Sequence, residues 1–308
     1  MQKISKKNQK YLKEISFLSE ISSMKKSFIE IGSSETLRAV CSEKISNINT
    51  RAKGKTLSTL QFSYWLAGLI DGDGSLLCSN KGYTSCEITL GEKEYNVLQF
   101  VKDRMGGSIK LRTKAKAYRW RLNNKEGMLQ LVKYINGKLH LAERQCQLKR
   151  VCAFLQLEYS FVKKISERTG WVAGFYEAVG YFHLNRSTLQ CSITLAQKDL
   201  LLLQEISAVL PGTIYYDKSW DGWVYSASNY SDVSRWVQYF SLFPLRSWKQ
   251  IQLQRFKRIL LYKSRGLHLS ESVRGRPWKR FQRLVEEFSG KSQKKTVHTS
   301  ITEFSSNC

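Results

Sequence analysis

The sequence predicts an α+β chain of two similar halves, each running helix, two strands, helix, two strands, helix. Three observations lead there. An apolar, small-residue run, Trp65-Leu66-Ala67-Gly68-Leu69-Ile70, stops abruptly at Asp71-Gly72-Asp73-Gly74. Pairs of alternating strands then follow, separated by polar turns and amphipathic helices. The same order recurs about 105 positions later: Ile88-Thr89-Leu90 is answered by Ile193-Thr194-Leu195, Lys93 by Lys198, and Gly107-Ser108-Ile109 by Gly212-Thr213-Ile214. A repeat of that length means two halves of one fold, because solenoid periods are much shorter.

The opening helix is expected over residues 64–71, with Ser63 as its N-cap. Gly72 and Gly74 permit a sharp turn that carries Asp73 past the helix end. Strands are expected over 75–78 and 85–90, joined through Asn80 and Gly82. A helix over 92–105 follows, with Val97, Leu98, Val101 and Met105 inward and Gly106-Gly107 as its stop. A second hairpin covers 109–112 and 118–122, and helices cover 126–134 and 142–158. In the second half the opening helix returns over 171–180, capped by Thr169. A strand pair returns over 189–195, a helix over 198–209, a hairpin over 212–216 and 223–227, and a last helix over 247–263. Residues 1–60 then form a basic N-terminal extension, 61–160 and 161–264 the two repeats, and 265–308 a basic tail.

Composition narrows the function. Lys and Arg number 50 against 25 for Asp and Glu, a net charge of +25 with a pI near 9.8. An excess that large calls for a polyanion, nucleic acid first. A membrane partner is not expected: no stretch approaches the roughly 18–20 apolar residues of a spanning helix, and no apolar signal segment follows Met1. The seven cysteines are odd in number and lack a CxxC pair, which reads as reduced thiols. The four histidines have no metal-ligand spacing, against a His-metal nuclease. Residues 1–60 read equally as a loosely ordered extension or a binding arm; their five glutamates argue against a transit peptide.

Two carboxylates at a helix C-terminus, where unpaired carbonyls already carry negative charge, are poorly placed unless a cation joins them. Leu66 to Gly74 resembles, almost letter for letter, the signature of the LAGLIDADG homing endonucleases, with Gly72 where that name has alanine. The second copy is Val172-Ala173-Gly174-Phe175-Tyr176-Glu177-Ala178-Val179-Gly180, and the resemblance covers residues 63–263. It implies two pseudo-symmetric αββαββα repeats whose antiparallel sheets form a saddle over DNA. The two motif helices would pack together through Ala67, Gly68, Ala173 and Gly174. The acid before each motif's last glycine would bind the divalent cation, one acid per DNA strand. That assigns Asp73 as catalytic acid, and Asp73 with Gly72 as the Mg²⁺ site. In the second motif the position is Val179, which cannot ligate; Glu177, two residues earlier, lies about half a turn away. The family also tends to place a lysine after the leucine that opens each half's last helix. Leu141 is followed by Ala142 and Leu245 by Arg246, so neither half has it there.

Alternation puts Lys110 and Arg112 on one strand face, with Arg119 and Arg121 on the returning strand and Lys114 and Lys116 in the turn. Such a ribbon fits a major groove. The second half offers Asn185, Arg186, Gln190, Ser192, Lys218 and Trp220, a more mixed set, so an asymmetric duplex target is expected. Arg274-Gly275-Arg276-Pro277-Trp278-Lys279-Arg280 reads as a clamp for DNA flanks or RNA, or as a solubilising tail. Three readings follow: an intron-encoded, Mg²⁺-dependent homing endonuclease that acts as a monomer on double-stranded DNA and nicks at most one strand efficiently; an RNA maturase that assists splicing of its own intron; or a decayed reading frame. The resemblance implies an organelle, mitochondrion or chloroplast.

Overall fold

The computed structural model describes residues 58–79, 82–265 and 275–288. The expected N-terminal extension up to residue 57 and most of the tail lie outside these residues; residues 58–60, expected to belong to that extension, open the first helix.

The opening helix, α1 (Thr59–Asp73), starts earlier and ends later than the sequence suggests. Ser58 is its N-cap, its Oγ accepting the Gln61 N–H at 3.3 Å. Ser63 lies inside the helix, where its Oγ donates to the Leu60 carbonyl at 2.7 Å. The extra turn brings Phe62 onto the buried stripe. At the other end Gly74 is the cap, donating to the Ile70 carbonyl, so Asp73 is the last helical residue instead of lying beyond the helix. Only glycine fits there, since a Cβ would come within 3.0 Å of the Ile70 backbone. The second motif helix, α5 (Trp171–Val179), starts after Gly170; Thr169 is not its cap but donates to the Ser166 carbonyl at 3.0 Å.

After α1 come β1 (Gly74–Cys78), β2 (Thr84–Gly91), α2 (Tyr95–Met105), β3 (Ser108–Arg112), β4 (Ala117–Leu122), α3 (Lys125–Ile135) and α4 (Ala142–Phe154). After α5 come β5 (Gly180–Leu184), β6 (Cys191–Gln197), α6 (Leu200–Val209), β7 (Thr213–Asp217), β8 (Gly222–Ala227), α7 (Tyr230–Leu242) and α8 (Trp248–Ser264). A final helix, α9 (Arg276–Phe288), packs on α8. Each repeat holds one four-stranded antiparallel sheet, in the orders β1-β2-β4-β3 and β5-β6-β8-β7. One face of the first sheet carries Leu76, Cys86, Ile88, Leu90, Trp120 and Leu122, all buried under the helices. Period-two alternation therefore turns the intervening residues outward. In the second repeat Tyr176, Phe182, Trp236, Phe240 and Phe256 form a continuous ring cluster with centroids 4.9–6.1 Å apart. Truncating such a buried ring typically costs about 3–5 kcal/mol.

The strand registers correct one sequence equivalence. Ile88 pairs with Gly74 and Trp120, whereas Leu195 pairs with Gly180 and Tyr225. Ile88 therefore corresponds to Leu195, not Ile193. A shift of two residues keeps every side chain on its face, so alternation alone cannot reveal it.

The helices α1 and α5 cross at backbone contact. A Cβ on Gly68 would collide with the Trp171 carbonyl oxygen, and one on Gly174 with that of Trp65. Ala67 and Ala173 are fully buried beside them. Gly170 N–H donates to Gln61 Oε1 at 3.2 Å at one end of the crossing, and Gly72 meets the Ala178 Cβ at the other. The motif helices thus lie together along their length, and their C-terminal tips, Asp73 and Val179, emerge side by side.

Candidate active site and nucleic-acid interface

The two acids of the first motif have opposite surroundings. Asp71 is fully buried. Its Oδ2 accepts the His140 N–H at 2.8 Å and the Trp171 Nε1–H at 3.0 Å, and its Oδ1 accepts the Leu141 N–H at 3.2 Å. It therefore caps the start of α4 and ties both repeats together. Burial pushes its carboxyl up to about 7, against the pull of those donors and of the Arg144 charge. Asp73 is exposed at the tip. Crowding by protein raises its carboxyl above the ordinary range; Lys249 opposes the shift, Glu94 adds to it and Arg144 opposes it.

The second motif repeats the buried acid but not the exposed one. Glu177 Oε1 accepts the backbone N–H of Arg246 and, at 3.3 Å, of Ser247, capping α8 as Asp71 caps α4. Burial raises its carboxyl. Committed to that cap, Glu177 cannot reach the tip, where Val179 stands. The symmetry is incomplete: among the described residues the buried Trp65 Nε1 has no hydrogen-bond partner, while the equivalent Trp171 bonds Asp71.

These caps also correct the placing of the lysine. His140-Leu141 corresponds to Arg246-Ser247, so Leu245 matches Leu139, not Leu141. The residue of α8 that turns toward the tips is Lys249. Its Nζ donates to the carbonyls of Tyr176 at 3.0 Å, Glu177 at 2.6 Å and Ala178 at 3.3 Å. The equivalent first-repeat residue is Glu143, which is exposed and pairs with Arg144 and Gln147.

Hard oxygen donors suit a divalent cation at the first tip: the Asp73 carboxylate, beside α1 carbonyls that lack intrahelical partners, in an acid-raising environment. Among the described residues no three His, Cys, Asp or Glu side chains converge into a metal cluster. Asp73 would be the side-chain ligand at this tip, with Glu94 the acid whose charge acts on it, and water, carbonyl or phosphate oxygens completing the shell.

The outward face of the first sheet is basic. Cross-strand register aligns Lys110 with Arg119, and Ser108 and Glu87 with Arg121. Glu87 lies between two of these cations, 3.1 Å from Arg119 Nη1 and 3.2 Å from Arg121 Nε. Lys110 and Arg112 are exposed at the edge, and Lys116 adopts a left-handed turn at φ 45° beside Lys114. On the second sheet the equivalent face carries Tyr181, Thr194, Ser226, Thr213, Tyr215 and Asp217, with no Lys or Arg. Gln190, Asn185 and Arg186 lie in the β5–β6 connection, and Lys218 and Trp220 in the β7–β8 turn. Sequence reasoning missed Lys249, Glu87 and the capping roles of Asp71 and Glu177. The constant 69-residue spacing from Asp71 to His140 and from Glu177 to Arg246 was the available signal.

The sequence profile described as LAGLIDADG endonuclease matches residues 66–155 and 172–260, one match per repeat. The chain belongs to the LAGLIDADG endonuclease family. It is 37% identical over 171 residues to the "Intron-encoded RNA maturase bI4" of Saccharomyces cerevisiae, covering 54% of this chain and 27% of that protein. It is 29% identical over 262 residues to the "Probable intron-encoded endonuclease aI2" of Debaryomyces hansenii, covering 77% of this chain and 39% of that one. The chain thus spans well under half the length of both relatives. The fold matches the I-LtrWI LAGLIDADG homing endonuclease bound to target DNA, with a TM-score of 0.58 at 16% identity over 75% of this chain and 98% of that one. No described helix is long and apolar enough to cross a membrane.

Proposed function

We propose that this LAGLIDADG chain binds an asymmetric duplex DNA site as a monomer and hydrolyses one strand with Mg²⁺ at Asp73. One observation carries this reading: of two helix tips brought side by side, only one bears a carboxylate, Asp73 against Val179. Both repeats sit in one chain, so no second copy is needed to pair the tips. Mg²⁺ held by Asp73 and the Gly72 carbonyl would supply charge neutralisation at the scissile phosphate. The protein's own part is to hold the backbone against the tips. Lys110, Arg112, Lys114, Lys116, Arg119 and Arg121 supply phosphate contacts and guanine readout in one half-site. Gln190 and Lys218 serve the other half-site at its turns. We place the protein in an organelle, mitochondrion or chloroplast, on the strength of the intron-encoded names its relatives carry.

The test is Asp73→Asn with a duplex that joins the sequences flanking the reading frame. The variant is expected to bind like the wild type and to leave both strands intact. Nicking that survives Asp73→Asn would overturn the assignment.

A second reading, splicing assistance through intron RNA, is favoured by α9. It buries Phe281, Leu284 and Phe288 and turns Arg276, Lys279, Arg280 and Arg283 outward, away from its own core. The maturase relative supports this reading too. Charge reversal at Lys279, Arg280 and Arg283 would weaken RNA binding and spare plasmid nicking if α9 is an RNA surface; equal loss of both would count against it.

A further inference from the structure

The two motif helices end differently, and the difference extends beyond the missing acid. At the first tip no side chain among the described residues donates to the last carbonyls of α1, and Asp73 adds a carboxylate. At the second tip three of the last four carbonyls of α5 are already taken. Lys249 points its Nζ at three of them, Tyr176, Glu177 and Ala178, at 2.6–3.3 Å. An ammonium has three N–H donors and no acceptor, so three carbonyls use it fully. Helix C-termini favour a cation, and a lysine there is the proteinaceous way to supply one. The first repeat could have had the same device, but its equivalent position is Glu143, turned to solvent.

We propose that the Lys249 ammonium is a built-in cation that occupies the valine-bearing tip in place of a divalent ion. The chain then accepts one such ion, beside Asp73, and none beside Val179. The statement about Asp73 rests on the proposed function; the statement about the second tip stands on Lys249 and its three acceptors. The exchange of carboxylate plus metal for a lysine keeps the local charge positive. A fixed ammonium can stabilise a nearby phosphate oxygen. It cannot lower the pKa of a bound water as a divalent ion does. The second tip would therefore hold a DNA strand without cutting it, an asymmetry built into the protein instead of a simple loss.

The probe is Mn²⁺, counted by electron paramagnetic resonance on the full chain, with thermal unfolding as a second readout. Three variants isolate the second tip by removing the first: Asp73→Asn alone, Asp73→Asn with Val179→Asp, and both of those with Lys249→Met. The first two are expected to bind no Mn²⁺ at the tips, because Lys249 holds the carbonyls and its fixed positive charge opposes a divalent ion beside the new carboxylate. The third is expected to gain one Mn²⁺ per chain and a Mn²⁺-dependent rise in Tm. Mn²⁺ bound at the second tip while Lys249 is present would overturn the proposal. So would a folded triple variant that gains no ion. If the triple variant fails to fold, the Val179→Asp arm still decides. The wild type compared with Asp73→Asn reads the first tip separately: equal Mn²⁺ counts there would sink the role given to Asp73 and leave the second-tip result standing.

Discussion

Gly174 lies directly against the backbone carbonyl of Trp65, with no room for a methyl group between them. The mirrored contact of Gly68 with Trp171 closes the other side of the crossing. Here the obstacle is backbone, not a movable side chain. Gly174→Ala must therefore spread α1 from α5, at the upper end of the about 1–3 kcal/mol usual for overpacking. Gly106→Ala is the control: its φ of 74° is strained for alanine but the space is open. It should cost only about 1–2 kcal/mol. Urea unfolding midpoints of the two variants measure the difference, and equal losses would show that the crossing tolerates separation.

Asp71 and His140 oppose each other in their effect of pH on stability. The Asp71 carboxyl is raised to about 7, so its folded form favours the proton and stability falls as pH rises from about 4 to about 7. Burial lowers the His140 imidazole to about 4, so stability from this group rises with pH from about 4 to about 6.5. In the wild type the two slopes largely offset. Asp71→Asn removes the first and exposes the second. The variant should be less stable by about 1–3 kcal/mol, because an amide cannot accept all three N–H groups. Its urea midpoint, unlike that of the wild type, should climb between pH 4.5 and 6.5, values set by those two shifts. A parallel pH profile for both proteins would contradict this.

Glu87 tempers the basic sheet face. It holds Arg119 and Arg121 in place and cancels part of their charge. Glu87→Gln should tighten binding to arbitrary duplex DNA and steepen its salt dependence, while discrimination between sequences falls. Lys110→Ala should do the reverse to the slope, lowering it by about 0.9 for a single lost phosphate contact. Fluorescence anisotropy across a salt series reads both.

Much of this was legible in the sequence, for identifiable reasons. The crossing of α1 and α5 was visible because close backbone approach demands small residues, and Ala67-Gly68 and Ala173-Gly174 recur at one spacing. The basic ribbon was visible because alternation fixes which side of a strand Lys110, Arg112, Arg119 and Arg121 take. The Ile88 equivalence was misread because a two-residue slip preserves that alternation. The capping of α4 by Asp71 and of α8 by Glu177 was hidden, since it joins residues far apart in the chain and motif spelling says nothing of partners. Lys249 was hidden for the same reason, and because the lysine was sought one turn too early. Helix α7 was not anticipated: Val233, Trp236, Tyr239 and Phe240 form its buried side, and its N-cap Asn229, whose Oδ1 accepts the Asp232 N–H at 2.8 Å, was the signal passed over.

The most direct test of a single armed tip is cleavage of supercoiled plasmid carrying the target, at limiting enzyme with Mg²⁺. The wild type should yield nicked circles, with the cut mapped to one strand. Clean linear product from the first turnovers, with both strands cut at equal rates, would contradict it.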